Sequence, residues 1–176
     1  MLPTTGSWLS LGDSVTFGGV ISGNGALVNL GGGTLTLTGN NLYSGGTAVD
    51  NGTVVTASNG ALGTGLVSIA GRSSTLQVNS GVTLANLVTL SNGGTLNNSG
   101  TLNEGASNLN ATNGGAIINN AGGIITANQI QFTLAPAVLV NLGTINANVT
   151  FANFANTVQL FTGSSIVGNL NLGTDA

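Results

Sequence analysis

The sequence predicts an all-β fold: a single-stranded parallel β-solenoid of about 8 triangular rungs, each of roughly 21 residues. Three observations predict it: a repeated column of apolar pairs, a repeated turn rich in Asn and Gly, and a composition that disfavours helices. In the column two apolar residues flank one polar residue, which is typical of a short strand with two side chains in and one out. The pairs recur at steps of 19 or 21 residues: Val67 and Ile69, Val88 and Leu90, Leu109 and Ala111, Ile130 and Phe132, Val149 and Phe151, Leu170 and Leu172.

Two further apolar columns run in step with the first. The second recurs every 19 to 22 residues and has some apolar partners two places on; the third follows the repeated turn. Three short strands in each repeat predict a triangular coil. The second column is Leu35, Val54, Leu76, Leu96, Ile117, Val138 and Val158, with partners Leu37, Val78, Val140 and Leu160; the third is Leu84, Leu102, Ile124 and Ile145.

The repeated turn begins with Asn and ends with Gly two residues later. Both residue types tolerate the positive φ that a tight corner requires. Asn at the same point of successive rungs predicts a ladder of hydrogen-bonded side-chain amides; in the alternative, Asn is only a polar turn residue. The turns are Asn79 to Gly81, Asn98 to Gly100, Asn120 to Gly122 and Asn141 to Gly143.

Aromatic residues cluster in the last third of the chain. The inward register of Phe132 and Phe151 predicts that they stack in the core, with Phe154 and Phe161 as further candidates. The alternative is an exposed platform that binds carbohydrate.

Composition excludes several classes of protein. The 176 residues are 41% hydrophobic but only 3% charged, and the net charge is -3 with Arg72 as the one basic residue. Nothing could neutralise phosphates, so nucleic-acid binding is excluded. No apolar stretch is long enough for membrane insertion, and the first ten residues show no export signal. The regular apolar columns argue against disorder, and 30 glycines with apolar spacings of two argue against helices.

The parts of a catalytic or metal site are missing from the sequence. Its ionisable side chains are Asp13, Asp50, Arg72, Glu104 and Asp175, with no histidine, lysine or cysteine. A triad or a His or Cys metal site therefore lacks its residues. Asp50 and Glu104 are separated by more than two rungs, too far for a carboxylate pair. We predict no enzyme activity, no cofactor and no metal.

Three stretches carry a resemblance to a known family. Residues 15–27, Gly33–Thr47 with GTLTLTG and NLYSGGT, and Asn59–Gly65 with GALGTG resemble the passenger-associated repeat of bacterial autotransporters and adhesins, also called the autotransporter-associated β-strand repeat. The resemblance implies a right-handed parallel β-helix, exported and displayed at the cell surface or outside it. A right-handed coil also agrees with the handedness of parallel crossovers.

The resemblance also suggests how the chain is organised. Residues 1–14 are an N-terminal extension or an irregular first coil, and 15–176 are one solenoid domain, passenger-repeat-like over 15–80 and with adhesin-type rungs over 81–176. Leu2–Gly6 reads LPTTG, like a cell-wall sorting signal, but at the wrong end of a chain.

Three functions are compatible with this organisation. The first is a structural segment of a surface-displayed protein, acting as a rigid stalk or spacer between adjoining rungs. The second is a subunit that assembles end to end with identical subunits into an extracellular filament, because the ends of a solenoid expose strand edges. The third is an adhesive module for a glycan or host surface, for which the sequence shows no patch.

Overall fold

The chain is a β-solenoid built entirely from short parallel strands in the part that the structure, a computed structural model, describes: residues 7–9 and 13–173. The LPTTG motif of Leu2–Gly6 lies outside these residues. The predicted fold is confirmed: strands one rung apart pair in parallel, as where Thr89 lies opposite both Ser68 and Asn110, 21 residues away in each direction. One face has eight strands in succession, and the seven steps between them correspond to about 7 turns of the coil.

Three faces form the sides of the coil. Face A contains β1 (Ser7–Leu9), β3 (Leu27–Asn29), β5 (Thr47–Val49), β7 (Val67–Ala70), β10 (Val88–Ser91), β13 (Asn108–Thr112), the second halves of β15 (Ile124–Thr133) and β17 (Thr144–Phe151), and β20 (Leu170–Asn171). Face B contains β2 (Val15–Phe17), β4 (Thr34–Leu37), β6 (Gly52–Thr56), β8 (Ser74–Val78), β11 (Thr95–Asn98), β14 (Gly115–Asn119), β16 (Ala137–Asn141) and β18 (Thr157–Leu160). Face C contains β9 (Thr83–Leu84), β12 (Thr101–Asn103), the first halves of β15 and β17, and β19 (Ser165–Ile166).

Faces A and C belong to one 12-stranded sheet because β15 and β17 run through the corner between them. Where these two strands pair, the register shifts between Thr126 and Gln129. A shift of this kind bends a strand without ending it, so the two strands follow the corner of the triangle.

The core is a set of inward columns that run along the axis. Ile69, Leu90, Ala111, Phe132 and Phe151 lie opposite one another in successive strands of face A, each no more than 2% exposed. Each such side chain stabilises the fold by about 1.5 to 3 kcal/mol only while its neighbours cover it. The rings of Phe132 and Phe151 are stacked, with centroids 4.4 Å apart and planes 4° from parallel.

Three parts of the predicted columns need correction. On face C the inward residue of β15 is Ile125, which lies opposite Leu102 and Ile145, whereas Ile124 is exposed. On face B the inward residue of β16 is Leu139, which lies opposite Ile117 and Val158. Val138 and its predicted partner Val140 point outward instead, and Val138 is exposed. At the last rung Leu170 pairs with Val149 but remains 37% exposed, and Leu172, beyond the end of β20, is also exposed. No described rung covers them, so Phe151 is the last buried member of the face A column within residues 13–173.

The third side of the coil changes along the chain. Two long loops, residues 38–46 and 57–66, occupy it after β4 and β6 and contain no strand. From β9 onward, face C strands occupy it instead. The change comes close to residue 80, where we divide the domain by sequence.

Candidate functional site

A buried ladder of Asn side chains runs along the corner between faces B and C. Asn98 Nδ2 lies 2.9 Å from Asn119 Oδ1, and Asn119 Nδ2 lies 2.9 Å from Asn141 Oδ1. All three residues are fully buried. Their amide groups also contact corner carbonyls, including Gly100 O and Gly123 O at 3.1 Å. The ladder therefore satisfies backbone groups that a tight turn would leave unpaired.

The ladder differs in membership from the predicted one. Asn120 lies one residue beyond it, where its Nδ2 donates to Asn97 Oδ1 and Ser99 Oγ. Asn79 lies at the same turn position, and its Oδ1 accepts from Gln77. The ladder position in that rung is Val78, which pairs with Asn98, so Asn98 Oδ1 is buried without a hydrogen-bond partner in the described part of the chain.

The four turn glycines are required for two different reasons. Gly81 and Gly122 have φ values of 80° and 78°, which side chains rarely adopt. Gly100 and Gly143 lack positive φ, but a Cβ on either would lie 2.4 Å or less from a carbonyl oxygen of a neighbouring rung. The second pair allows close packing of the rungs at the corner.

In the first rungs, polar side chains hold the loops in place of the ladder. The Tyr43 hydroxyl is buried against Thr47 Oγ1 at 2.5 Å, and Thr47 Oγ1 donates to Leu62 O. Burial raises the pKa of Tyr43 to about 12, so it stays a neutral phenol. Asn41 joins three rungs, since its Oδ1 accepts from Ile21 N and its Nδ2 donates to Ala61 O. All three residues belong to the NLYSGGT motif, but the sequence assigned them no structural role.

Glu104 is a buried carboxyl group at the end of face C. Its Oε1 accepts from Val88 N at 2.8 Å, where equivalent residues such as Val67 donate to a backbone carbonyl. Its Oε2 is buried without a partner among the residues described. Burial raises the pKa of Glu104 from 4.5 to about 7, with the hydrogen bond from Val88 opposing the shift.

Charged residues are few in the described part of the chain: Asp13, Asp50, Arg72 and Glu104. No group of three or more potential metal ligands occurs within the described ranges. The exposed Arg72 makes no hydrogen bond or ion pair with another described residue. The described residues contain no helix, and so none that could cross a membrane.

The end of the coil formed by β18, β19 and β20 exposes apolar side chains. Leu160 and Phe161 are about half exposed, and Val167 is more exposed still. Phe154 and Phe161, the further candidates for the aromatic stack, are thus both exposed, and that part of the prediction is wrong. These side chains have no further rung to pack against in the structure.

Comparisons with known proteins agree with the resemblance in the sequence. The family model described as passenger-associated-transport-repeat matches residues 27–55, from β3 to β6. The chain is similar to the Adhesin BmaC autotransporter of Brucella suis biovar 1 (strain 1330), with 43% identity over 63 residues. That match covers 36% of this chain, and 2% of the length of the relative. No solved structure matches. The predicted passenger-associated repeat is thus confirmed over residues 27–55.

Proposed function

We propose that this chain is a non-enzymatic, rigid spacer within a protein displayed at the surface of a bacterial cell. The observation that carries the proposal is one uninterrupted core that reaches an open edge. Seven steps of about 4.8 Å make the described solenoid a rod about 34 Å long. The mean hydropathy of +0.41 and the scarcity of charge suit a molecule whose stability comes from stacked apolar columns.

The open edge has the geometry to receive another rung. Val158 and Ile166, which lie on the outermost strands, still pack against the core. Leu160 and Leu170 on the same edge remain exposed. Asn141 Nδ2 donates to Ser165 O at 3.0 Å, so the corner pattern of the ladder continues into the last rung. In a spacer, the next rung of the parent polypeptide would bury these side chains.

Duplicating the last rung tests the spacer. Residues 152–172 are copied directly behind themselves, so that the inner copy of Leu170 gains a covering strand. The free energy of unfolding and its denaturant slope should both rise, because each added rung buries more surface. A matched control carries the same 21 residues in shuffled order. Equal stability of the duplicated, shuffled and parent chains would contradict the proposal.

The second candidate function is a filament subunit, favoured by exposed apolar residues at both edges. Val15 and Phe17 on β2 are exposed at one end of face B, and Leu160 on β18 is exposed at the other. Head-to-tail contact between such unlike edges produces an open fibre. Electron microscopy and sedimentation distinguish the two functions: a spacer stays a short monomeric rod, whereas a filament forms fibres that Phe17→Glu or Leu160→Glu abolishes.

A further inference from the structure

A groove of about 500 Å³ lies where face A turns into face B, across successive rungs. Gly93 and Gly114, which follow Asn92 and Asn113 at this corner, line the groove without side chains. All four residues have positive φ. A Cβ on Gly93 would stand 2.7 Å from Cγ of Arg72. The glycines therefore leave room for the Arg72 side chain and for a ligand beside it.

One end of the groove is cationic and its middle is lined by amide groups. Arg72 is the one basic residue of the sequence, and it is exposed. Asn113 Nδ2 donates to Asn92 Oδ1 at 2.7 Å. This bond leaves a donor on Asn92 and an acceptor on Asn113 without partners among the residues described. The guanidinium group can pair with a carboxylate in two parallel hydrogen bonds, and the amides can pair with hydroxyl groups.

The other end of the groove is apolar, and a strained residue precedes its lining in the chain. Ala135, Pro136 and Val138 line it, and Leu134 occupies the corner position that Asn92 and Asn113 hold in preceding rungs. Leu134 has φ 71° and is 70% exposed. A bulky residue at positive φ is an outlier, and strain of this kind clusters at functional sites. Asn at this position would be less strained. The exposed Leu134 side chain therefore distinguishes this corner from the two preceding ones, which have Asn92 and Asn113.

The backbone of this corner does not favour a peptide ligand. Asn92 N donates to Thr112 O at 3.1 Å, and Asn113 N donates to Thr133 O at 2.8 Å. A peptide that extends a sheet needs unpaired backbone groups, and these donors are already paired within the solenoid. The free groups are side-chain donors and acceptors, which match the hydroxyl groups of a saccharide.

We propose that this groove binds an acidic saccharide, extended along the solenoid axis. Its carboxylate pairs with Arg72, its hydroxyl groups exchange hydrogen bonds with Asn92 and Asn113, and the C–H face of a ring packs on Pro136 and Val138. The rungs from Arg72 to Ala135 are separated by three steps, about 14 Å in all. The site is separate from the open edge, so it holds whether the chain is a spacer or a filament subunit.

The test is an NMR titration of the isotope-labelled chain with trigalacturonic acid, using the neutral maltotriose for comparison. We expect saturable shifts of the Arg72 Nε–H and the side-chain amides of Asn92 and Asn113 with the acidic sugar. Arg72→Gln should weaken binding roughly tenfold or more, as expected on losing a charge-assisted pair. Arg72→Lys should be intermediate, because it keeps the charge but loses the paired donors.

A matched pair of variants separates the groove from surface amides in general. Asn113→Ala removes a groove amide, whereas Asn128→Ala removes an exposed Asn whose Nδ2 makes a similar cross-rung bond, to Asn108, at another corner. The first should weaken binding severalfold and the second should not. The proposal is overturned if trigalacturonic acid leaves these signals unmoved, if maltotriose binds equally well, or if Arg72→Gln binds as the parent does. Tighter binding of an acidic peptide such as tetra-aspartate at these signals would also overturn it.

Discussion

The rungs before and after residue 80 close the same triangle in different ways. After β4 and β6, loops of nine and ten residues (38–46 and 57–66) form the third side and are held by Asn41, Tyr43 and Thr47. From β9 onward a strand forms that side, and the corner before it carries the ladder Asn98, Asn119 and Asn141. The passenger-repeat match falls entirely in the first region.

The difference shows that the rung, and not the strand, is the unit that stacks. The loops also bond from rung to rung, as in Thr64 N to Tyr43 O at 3.0 Å and Asn41 N to Gly60 O at 2.8 Å. Either region succeeds because most of its buried polar groups find a partner in a neighbouring rung, with Asn98 Oδ1 and Glu104 Oε2 among the exceptions. In the loops, the side chains of Asn41, Tyr43 and Thr47 provide these partners. At the tight turns, a ladder of identical Asn side chains provides them.

Removing the Tyr43 side chain of the first region should have the largest effect on stability. Tyr43→Ala should lower the free energy of unfolding by about 4 kcal/mol, because it leaves a cavity where a fully buried aromatic side chain was. Tyr43→Phe keeps the ring and should cost only about 1 kcal/mol, the contribution of one hydrogen bond. Urea denaturation at neutral pH measures both. If the two variants are equally unstable, packing is not what the ring provides.

Removing the centre of the ladder should have the next largest effect. Asn119→Ala should lower the free energy of unfolding by about 3 kcal/mol, since it strands buried donors and acceptors on Asn98 and Asn141. The adjacent Asn120→Ala is the matched control and should cost less than about 1 kcal/mol, because its amide is only partly buried. Urea denaturation compares them; equal losses would remove the distinction between ladder and turn.

The ladder can be extended toward the first region. Val78→Asn places an amide opposite the unpartnered Asn98 Oδ1, so it should lower the free energy of unfolding by only about 1 kcal/mol. Val54→Asn buries an amide in a column without a ladder and should cost about 3 kcal/mol. Thermal unfolding of both variants is the measurement. A cost at Val78 as large as at Val54 would contradict the role assigned to the ladder.

The buried carboxyl of the second region should make stability depend on pH. The pKa of Glu104 is raised from 4.5 to about 7 in the fold, so the folded chain holds the proton more tightly. This contribution to stability is fully present below pH 4.5 and is lost as pH rises to about 7. Glu104→Gln should remove the slope over this interval and stabilise the chain at pH 8 by roughly 1 kcal/mol after allowance for solvent screening. Urea denaturation at pH 4, 6 and 8 measures it; an unchanged slope in the variant would assign the dependence elsewhere.

The sequence was sufficient for the period and for the face A column from Val67 to Phe151, because one polar residue separates the inward pairs there. The repeat was identified from its own motifs. It was insufficient at β16, where Ala137 to Val140 are all apolar and a period of two cannot select Leu139 over Val138. The ladder was displaced by one residue for a similar reason: Asn119 and Asn120 are adjacent, and the spacing fits either.

The candidate sites were less accessible to sequence reasoning than the fold. Glu104 offered no signal beyond being a lone acid, since its burial depends on where β12 ends and which backbone donor it meets. The groove depends on glycines from two rungs meeting beside Arg72, which only the register reveals. The positions of Asn92 and Asn113, 21 residues apart and each followed by Gly, are the trace of it in the sequence.

The equal register of successive strands has a consequence for how such a gene can change in length. Thr89 and Asn110 are equivalent points of two rungs. Deleting or duplicating residues 89–109 therefore leaves each remaining strand beside an equivalent partner. Recombination between similar rungs would therefore lengthen or shorten the protein in whole steps, while an insertion of one or two residues inside a strand would turn its inward side chains to the surface.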